Sequence, residues 1–374
     1  MPGDFAMDMS GPTVGVVANP ASGRDVRRLV AHGSAVTAHD KVNVLTRLMT
    51  GLARAGVTDV ISMTDRSGVS AGLARACSRR SAEGWPNMHF LDHALTGTPT
   101  DTVVAVELMM EAGVGVIIVL GGDGTNNLVA HTCRDIPVVA ISTGTNNSFP
   151  LALEPTVAGL AAGLVATGAV AHDAVTERAK LLAVSHAGRT RHAVVDVAVL
   201  VQGSIGSGAI WDVKSVRELF LTFARADAIG LSSVGGHLCP VGRYEPYGLA
   251  VRLAPAERST SAPPADSPTG IRPPIGPGLF ADLEVEGWDK LHPGGARSVA
   301  ESAGVLAIDG ERIIEFDQQR QGPVTVDLIT NGPPVVDVAR TLALAASARL
   351  LVTRDRPTTT TSNKQSTPEG EHAS

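Results

Sequence analysis

Apolar positions along this chain follow one pattern up to about residue 150 and another after it. Thr13 to Ala18 is a short β-branched run ending at Asn19-Pro20. Behind Asp40, residues Val44, Leu45, Leu48, Met49 and Leu52 recur at the three- and four-residue spacing of a helix, which Gly56 closes. The alternation continues with apolar Val60 to Met63, a helix capped near Ser67, apolar Met88 to Leu91, and a helix opening around Thr100-Asp101 and running to Gly113. Val114 to Leu120 is the strongest buried strand, followed by GGDGTNN, a helix to about Cys133 and a strand from Ile136 to Ile141. This succession predicts an α/β domain over 13–150, its parallel sheet covered on both faces and its ligands beyond the carboxyl ends of the strands. Segments 19–25, 121–127 and 143–147, rich in glycine or asparagine, each follow a predicted strand and so gather at that edge.

From 151 to 332 the pattern is β-rich. An alanine-rich helix spans roughly 155–168, and Lys180 to Ser185 and Arg191 to Val199 then flank the turn His186-Ala187-Gly188 as a hairpin would. Val305 to Ile308 and Arg312 to Phe316 surround Asp309-Gly310, a favourable hairpin pair, and Val324 to Ile329 supplies another strand. An inserted helix is expected from about Trp211 to Ala226, and 255–278 reads as a long proline-rich loop. Residues 334–352 form a C-terminal helix expected to pack back on the core, and 1–12 and 355–374 read as disordered tails. A hinge between the two halves is expected near 148–155.

Length, 374 residues, and a 44% hydrophobic content allow one large or two ordinary domains with a sizeable core. The formal charge of −6, spread without long like-charge blocks, leaves no basic footprint for nucleic-acid phosphates, so no nucleic acid is expected as a partner. Forty glycines and 3% aromatic residues put function in tight backbone loops rather than on a stacking platform. Cys77, Cys133 and Cys239 are odd in number and never in a CxxC pair, which speaks against a disulfide framework and a four-ligand zinc site and suits a reducing cytoplasm. The start, MPGDFAMDMSG, lacks the regions of a secretory signal, and the longest uncharged run, Pro155 to Ala171, falls short of the ~20 apolar residues of a membrane span.

Candidate chemistry centres on Gly121-Gly122-Asp123-Gly124-Thr125, between the strongest strand and a helix. Its glycines allow close backbone approach, and the helix N-terminus offers unpaired amides to a phosphate. A carboxylate there repels an anion unless Mg²⁺ or a substrate hydroxyl lies between them, which is the arrangement phosphoryl transfer needs. The same residues also read as a tight turn with an Asp helix cap, and Asp309-Gly310-Glu311 as a hairpin turn.

VLGGDGTNN, together with NPASGRD after the first strand and STGTNNSF after the last strand of the first half, resembles the ATP-NAD kinase and diacylglycerol-kinase superfamily. Within it, the GTNN form, RAKLLAV, RHAVVDVAV and GSIGSGAIWD are most similar to the AcoX (acetoin-catabolism protein X) group of ATP-NAD kinase-like proteins, a match covering about 13–330. The resemblance implies an α/β nucleotide-binding domain, a C-terminal β-sandwich and a site in the cleft between them. By position it makes Asp123 the catalytic aspartate, with Asn19, Ser22, Gly23, Arg24, Gly121, Gly122, Gly124 and Thr125 around the nucleotide phosphates. It puts Asn126, Thr143, Gly144, Thr145, Asn146, Asn147 and Asp196 at the acceptor, and gives Asp309 and Glu311 a metal-holding or ATP-orienting role. Gly203 to Gly208 reads either as a second phosphate-approach loop or as a flexible linker, and the fuller serine- and threonine-rich signature of NAD kinases after the aspartate is not reproduced there.

The function implied is a cytoplasmic, ATP- and Mg²⁺-dependent kinase acting on a hydroxyl, first of all the ribose 2′-hydroxyl of NAD to give NADP. A lipid-like or other small alcohol acceptor, and a nucleotide-binding regulatory protein without turnover, are the alternatives. Self-association into a homo-oligomer is implied by the resemblance alone.

Overall fold

A computed structural model describes residues 9, 11–22, 36–80, 84–144, 147–201, 213–255, 269–310 and 312–352. The first half runs β1 (Thr13–Ala18), α1 (Ala38–Ala55), β2 (Asp59–Ser62), α2 (Val69–Arg80), β3 (Asn87–Phe90), α3 (Thr100–Glu111), β4 (Val116–Gly121), α4 (Asp123–Thr132), β5 (Val138–Ser142) and α5 (Pro155–Ala166). Its five strands pair in parallel in the order β3-β2-β1-β4-β5.

Strand β4 shows why the hydrophobic run is continuous. Val116, Ile118 and Leu120 pack toward α1 and α5, while Ile117 and Val119 pack toward the α3 and α4 side. Local signals start and stop the helices. Thr37 and Asp40 form a reciprocal capping box at α1, Gly56 ends it at φ 85°, and the Asp65 carboxylate accepts the amides of Ser67, Val69 and Ser70 ahead of α2. The alanine- and glycine-rich α5 lies tight against α1, where a Cβ on Gly159 would sit 2.4 Å from the Leu48 carbonyl oxygen and one on Gly51 2.3 Å from that of Thr156.

The second half runs β6 (Thr176–Arg178), β7 (Leu181–His186), β8 (Arg189–Ala193), β9 (Asp196–Leu200), β10 (Val216–Leu221), α6 (Leu231–Gly236), β11 (Gly248–Leu253), β12 (Thr269–Ile271), β13 (Pro274–Gly276), β14 (Leu279–Phe280) and β15 (Leu283–Leu291). It continues with β16 (Arg297–Ser298), β17 (Ala303–Ile308), β18 (Arg312–Asp317), α7 (Gln318–Gln321), β19 (Thr325–Ile329), β20 (Pro334–Val336) and α8 (Val338–Ser347). Among the described residues, two antiparallel sheets of order β12-β15-β11-β10-β9-β17-β18 and β16-β19-β7-β8 share a core of Leu182, Val184, Val197, Val199, Phe220, Leu306 and Leu328.

Four expectations are corrected here. The helix expected from Trp211 to Ala226 is the central strand β10 over its middle. A bulge between Val216 and Glu218 puts Val216 and Leu219 on one face, so a strand copies helical spacing. The strand expected from Arg191 to Val199 is two strands, because the Asp309 carboxylate takes the amides of Val194, Val195 and Asp196 and the chain changes sheet there. The proline-rich loop contains β12 and β13 toward its C-terminal end, where Ile271 and Ile275 pack on the apolar core beside β11. Finally, the C-terminal helix begins only at Val338, capped by Asp337; Pro334 to Val336 instead extends the first sheet beside β5, with β6 antiparallel outside it.

Candidate active site

The loops after β1, β4 and β5 leave neighbouring strands at one edge of the sheet, and β1 and β4 flank the point where strand order reverses. Asn19 ties the first two loops together: its Nδ2 donates to Thr125 Oγ1 at 2.8 Å and its Oδ1 accepts the Ala21 amide at 2.9 Å. Thr143 Oγ1 donates to Ser22 Oγ at 3.0 Å, bringing in the third loop. Beneath them Lys41, 1% exposed, donates from Nζ to the carbonyls of Asn19, Pro20 and Ser22 at 2.7–2.9 Å. Lys41 is absent from the sequence expectations; its signal is a lysine in the first turn of α1, the end where the helix dipole disfavours a cation.

An added Cβ at Gly121 would lie 2.7 Å from the Thr125 Cβ, which the short β-branched side chain cannot relieve, while one at Gly122 would meet only the end of the Asn147 side chain, at 2.8 Å from Oδ1. Asn147 Nδ2 in turn donates to Ser142 Oγ at 2.9 Å, and Ser142 Oγ donates to the Gly144 carbonyl at 2.9 Å. Asn126 donates to the Gly122 carbonyl at 2.9 Å, while its Oδ1 is buried with no hydrogen-bond partner among the described residues. Sequence therefore places Asn19, Ser22, Gly121, Gly122, Thr125, Asn126, Thr143, Gly144 and Asn147 in one constellation with Asp123 and Gly124, and the structure brings them together. Gly23, Arg24, Thr145, Asn146, Glu311 and the Gly203 to Gly208 segment lie outside the described residues.

Asp123 is the first residue of α4, behind an extended Gly122 cap. Its carboxylate accepts the Ser148 amide at 3.0 and 3.1 Å and the Phe149 amide at 2.8 Å, which fixes its direction. The same dipeptide is gripped from behind by Arg243, whose Nη1 donates to the Phe149 carbonyl at 2.6 Å and whose Nη2 donates to that of Ser148. Burial pulls the Arg243 guanidinium below its ordinary range, and the Asp123 charge opposes that pull. Arg243 was also missed; nothing local distinguishes it from a loop arginine.

Asp196 and Asp309 lie on the second half's side of this edge. Asp196 opens β9 and is buried. The Asp309 carboxylate accepts the amides of Val194, Val195 and Asp196 and, at 2.6 Å, Nδ2 of Asn127, which also donates to the His192 carbonyl at 2.6 Å. Burial pushes the Asp309 carboxyl up to about 7, with the Asp123 charge adding to it and the amide donors opposing it. Its geometry is that of a clamp between α4 and the β-rich half, and among the described residues no group of three His, Cys, Asp or Glu side chains could hold a metal ion. Cys77, Cys133 and Cys239 are thiols, that of Cys133 pushed up to about 12 by burial. Among the described residues no helix is long and apolar enough to cross a membrane.

Residues 14–169 match the ATP-NAD kinase N-terminal domain and residues 180–329 the acetoin catabolism protein X C-terminal domain. A crystal structure from Bacillus anthracis str. Sterne, provisionally described as a diacylglycerol kinase, superposes with a TM-score of 0.46 at 14% identity, covering 87% of this chain and 97% of that one. The matched N-terminal domain supports a kinase-type phosphotransferase. Along 353 residues the chain is 38% identical to Acetoin catabolism protein X of Cupriavidus necator (strain H16), covering 92% of this chain and 96% of the relative. The chain thus belongs to the acetoin catabolism protein X family, built as an ATP-NAD kinase-type N-terminal domain followed by an acetoin catabolism protein X C-terminal domain.

Proposed function

We propose that this protein is an ATP-dependent kinase that transfers the terminal phosphoryl group of ATP to a hydroxyl, with the ribose 2′-hydroxyl of NAD as the acceptor. The observation that carries the reading is Asp123 at the head of α4, aimed by two backbone amides and flanked by glycine loops at the strand-order reversal. Helix amides and closely approachable glycines receive phosphate oxygens. Asp123 accepts or orients the proton of the acceptor hydroxyl as its oxygen bonds to phosphorus and the bond to ADP breaks. Asn126, Thr143 and Asn147 supply amide and hydroxyl groups suited to ribose or base edges.

Mg²⁺ belongs to this reading as a metal brought in by the nucleotide, since Mg²⁺ is commonly held by one or two carboxylates plus substrate phosphates. The Asp123 and Asp309 carboxylates are each engaged by backbone amides, so this reading leaves the ion with the nucleotide phosphates. When bound it neutralises phosphate charge, and positioning falls to the loops and Asp123.

One observation favours a second reading, nucleotide binding without turnover. Asp123 engages the Ser148 and Phe149 amides much as a capping carboxylate does. The test incubates the protein with ATP, Mg²⁺ and NAD beside a panel of small alcohols and lipids, following ADP and the phosphorylated acceptor by mass. NADP is the expected product, and Asp123→Asn is expected to lower turnover by at least ~100-fold while nucleotide affinity changes little. ADP with another phosphorylated product moves the acceptor; binding with no product across the panel replaces the kinase with the regulatory reading.

A further inference from the structure

The dipeptide Ser148-Phe149 leads from the β5 loop toward α5, and two groups from opposite halves hold it. Its N–H groups point to Asp123 and its carbonyls to Arg243. The guanidinium uses its two terminal nitrogens, one per carbonyl, a planar fork that an ammonium does not reproduce. It lies 4.8 Å from the centre of the Phe223 ring and 5.6 Å from that of Phe149, and both rings are buried. Arg243 Nε is buried with no hydrogen-bond partner among the described residues, so the two terminal nitrogens carry its hydrogen bonding there. Its loop is itself anchored: Lys180, 3% exposed, donates from Nζ to the carbonyls of Gly242 at 2.9 Å and Tyr247 at 2.7 Å.

We propose that Arg243 is a positioning residue for Asp123, through which the β-rich half completes the phosphoryl-transfer site, with Lys180 holding the loop that delivers it. The inference rests on the role given to Asp123 under the proposed kinase reading. Arg243 grips both carbonyls, fixes the plane of the two amides and thereby fixes the direction of the carboxylate. Its positive charge also attracts the Asp123 carboxylate across the dipeptide. The GGDGT loop of this chain would then depend on a residue about 120 positions away in the sequence.

The test compares wild type with Arg243→Met, which keeps much of the stem but loses the fork, and Arg243→Lys, which keeps the charge. Lys180→Met reaches the same loop by a second route should the first variant fail to fold. Selective ¹⁵N-Phe labelling gives seven backbone amide signals, of which Phe149 is identified by Phe149→Leu. The Phe149 amide shift followed against pH reads the Asp123 titration without any turnover, and Asp123→Asn removes that titration.

Arg243→Met is expected to move the midpoint up by about one pH unit and to lower kcat by about 100-fold with ATP affinity within ~3-fold, the penalty of a ~1 Å misplacement. Arg243→Lys should restore the midpoint more than kcat, since it returns the charge and not the fork. An unchanged Phe149 titration in both Arg243 variants and Lys180→Met overturns the proposal, as does a shifted titration with kcat unaltered. If wild type shows no turnover while the titration shifts as expected, the grip of Arg243 on Asp123 stands and only the kinase reading falls.

Discussion

Lys41 shows at the scale of one residue how the loop after β1 is held from below. Its ammonium satisfies three carbonyls of residues 19–22, and no water-filled alternative is open to a side chain that is 1% exposed. Lys41→Met keeps the stem and orphans those carbonyls, so we expect a loss of roughly 2–4 kcal/mol, read from denaturant unfolding midpoints at unchanged m-value. A variant as stable as wild type would mean that the carbonyls find other donors. The glycine loops themselves were legible in sequence, because their spacing after a buried strand carries its own chemistry. Lys41 and Arg243 were not, because each acts on backbone carbonyls that only the folded chain brings within reach.

Between elements, the contact of α1 with α5 is set by absent side chains. Gly159 and Gly51 let backbone meet backbone, and an added Cβ at Gly159 would stand 2.4 Å from the Leu48 carbonyl oxygen with no flexible side chain to give way. Gly159→Ala is therefore expected to destabilise by about 1–3 kcal/mol despite the better helix propensity of alanine, as measured by chemical denaturation. A stabilised variant would show that the two helices separate at little cost. The composition of α5 announced a buried helix, but the partner it packs on was not in the pattern. Strand β10 teaches the converse: Val216 and Leu219 are spaced as on a helix, yet the bulge and burial on both faces make them neighbours on a strand. Periodicity fails where a strand is central and irregular, since no polar face marks its parity.

Across the whole molecule, the two halves meet through polar contacts as well as apolar ones. Asn127 and Asp309 join α4 to the β-rich half, Arg243 joins that half to the segment before α5, and β20 carries the chain's end back into the first sheet. Asp309 makes the joint sensitive to pH. Its carboxyl is raised from 3.8 to about 7 in the folded state, so the folded state holds the proton more tightly than the unfolded chain. Stability from this group is fully present below the unfolded value and is lost as pH rises through about 7. Relative to Asp309→Asn, wild-type stability should fall as pH rises from 4 to 7, by up to about 1.4 kcal/mol per unit, in unfolding curves taken across that range. The opposite slope would mean that the four donors around Asp309 outweigh its burial.

The α/β half of this protein, its order of strands and helices, and the gathering of three polar loops at one sheet edge were determined by sequence alone. Buried parallel strands and amphipathic or small-residue helices write their periods into local composition, and glycine marks where backbone must turn or pack closely. The β-rich half was legible in its hairpins, where the turns at Ala187-Gly188 and Asp309-Gly310 take positive φ values that local residues announce. Tertiary structure decided the rest: the split of one apparent run into β8 and β9 by the Asp309 carboxylate, the return of β20 to the first sheet, and the two-sided grip on Ser148 and Phe149. Each depends on hydrogen bonds between residues far apart in the chain, and such bonds leave no period in the sequence to read.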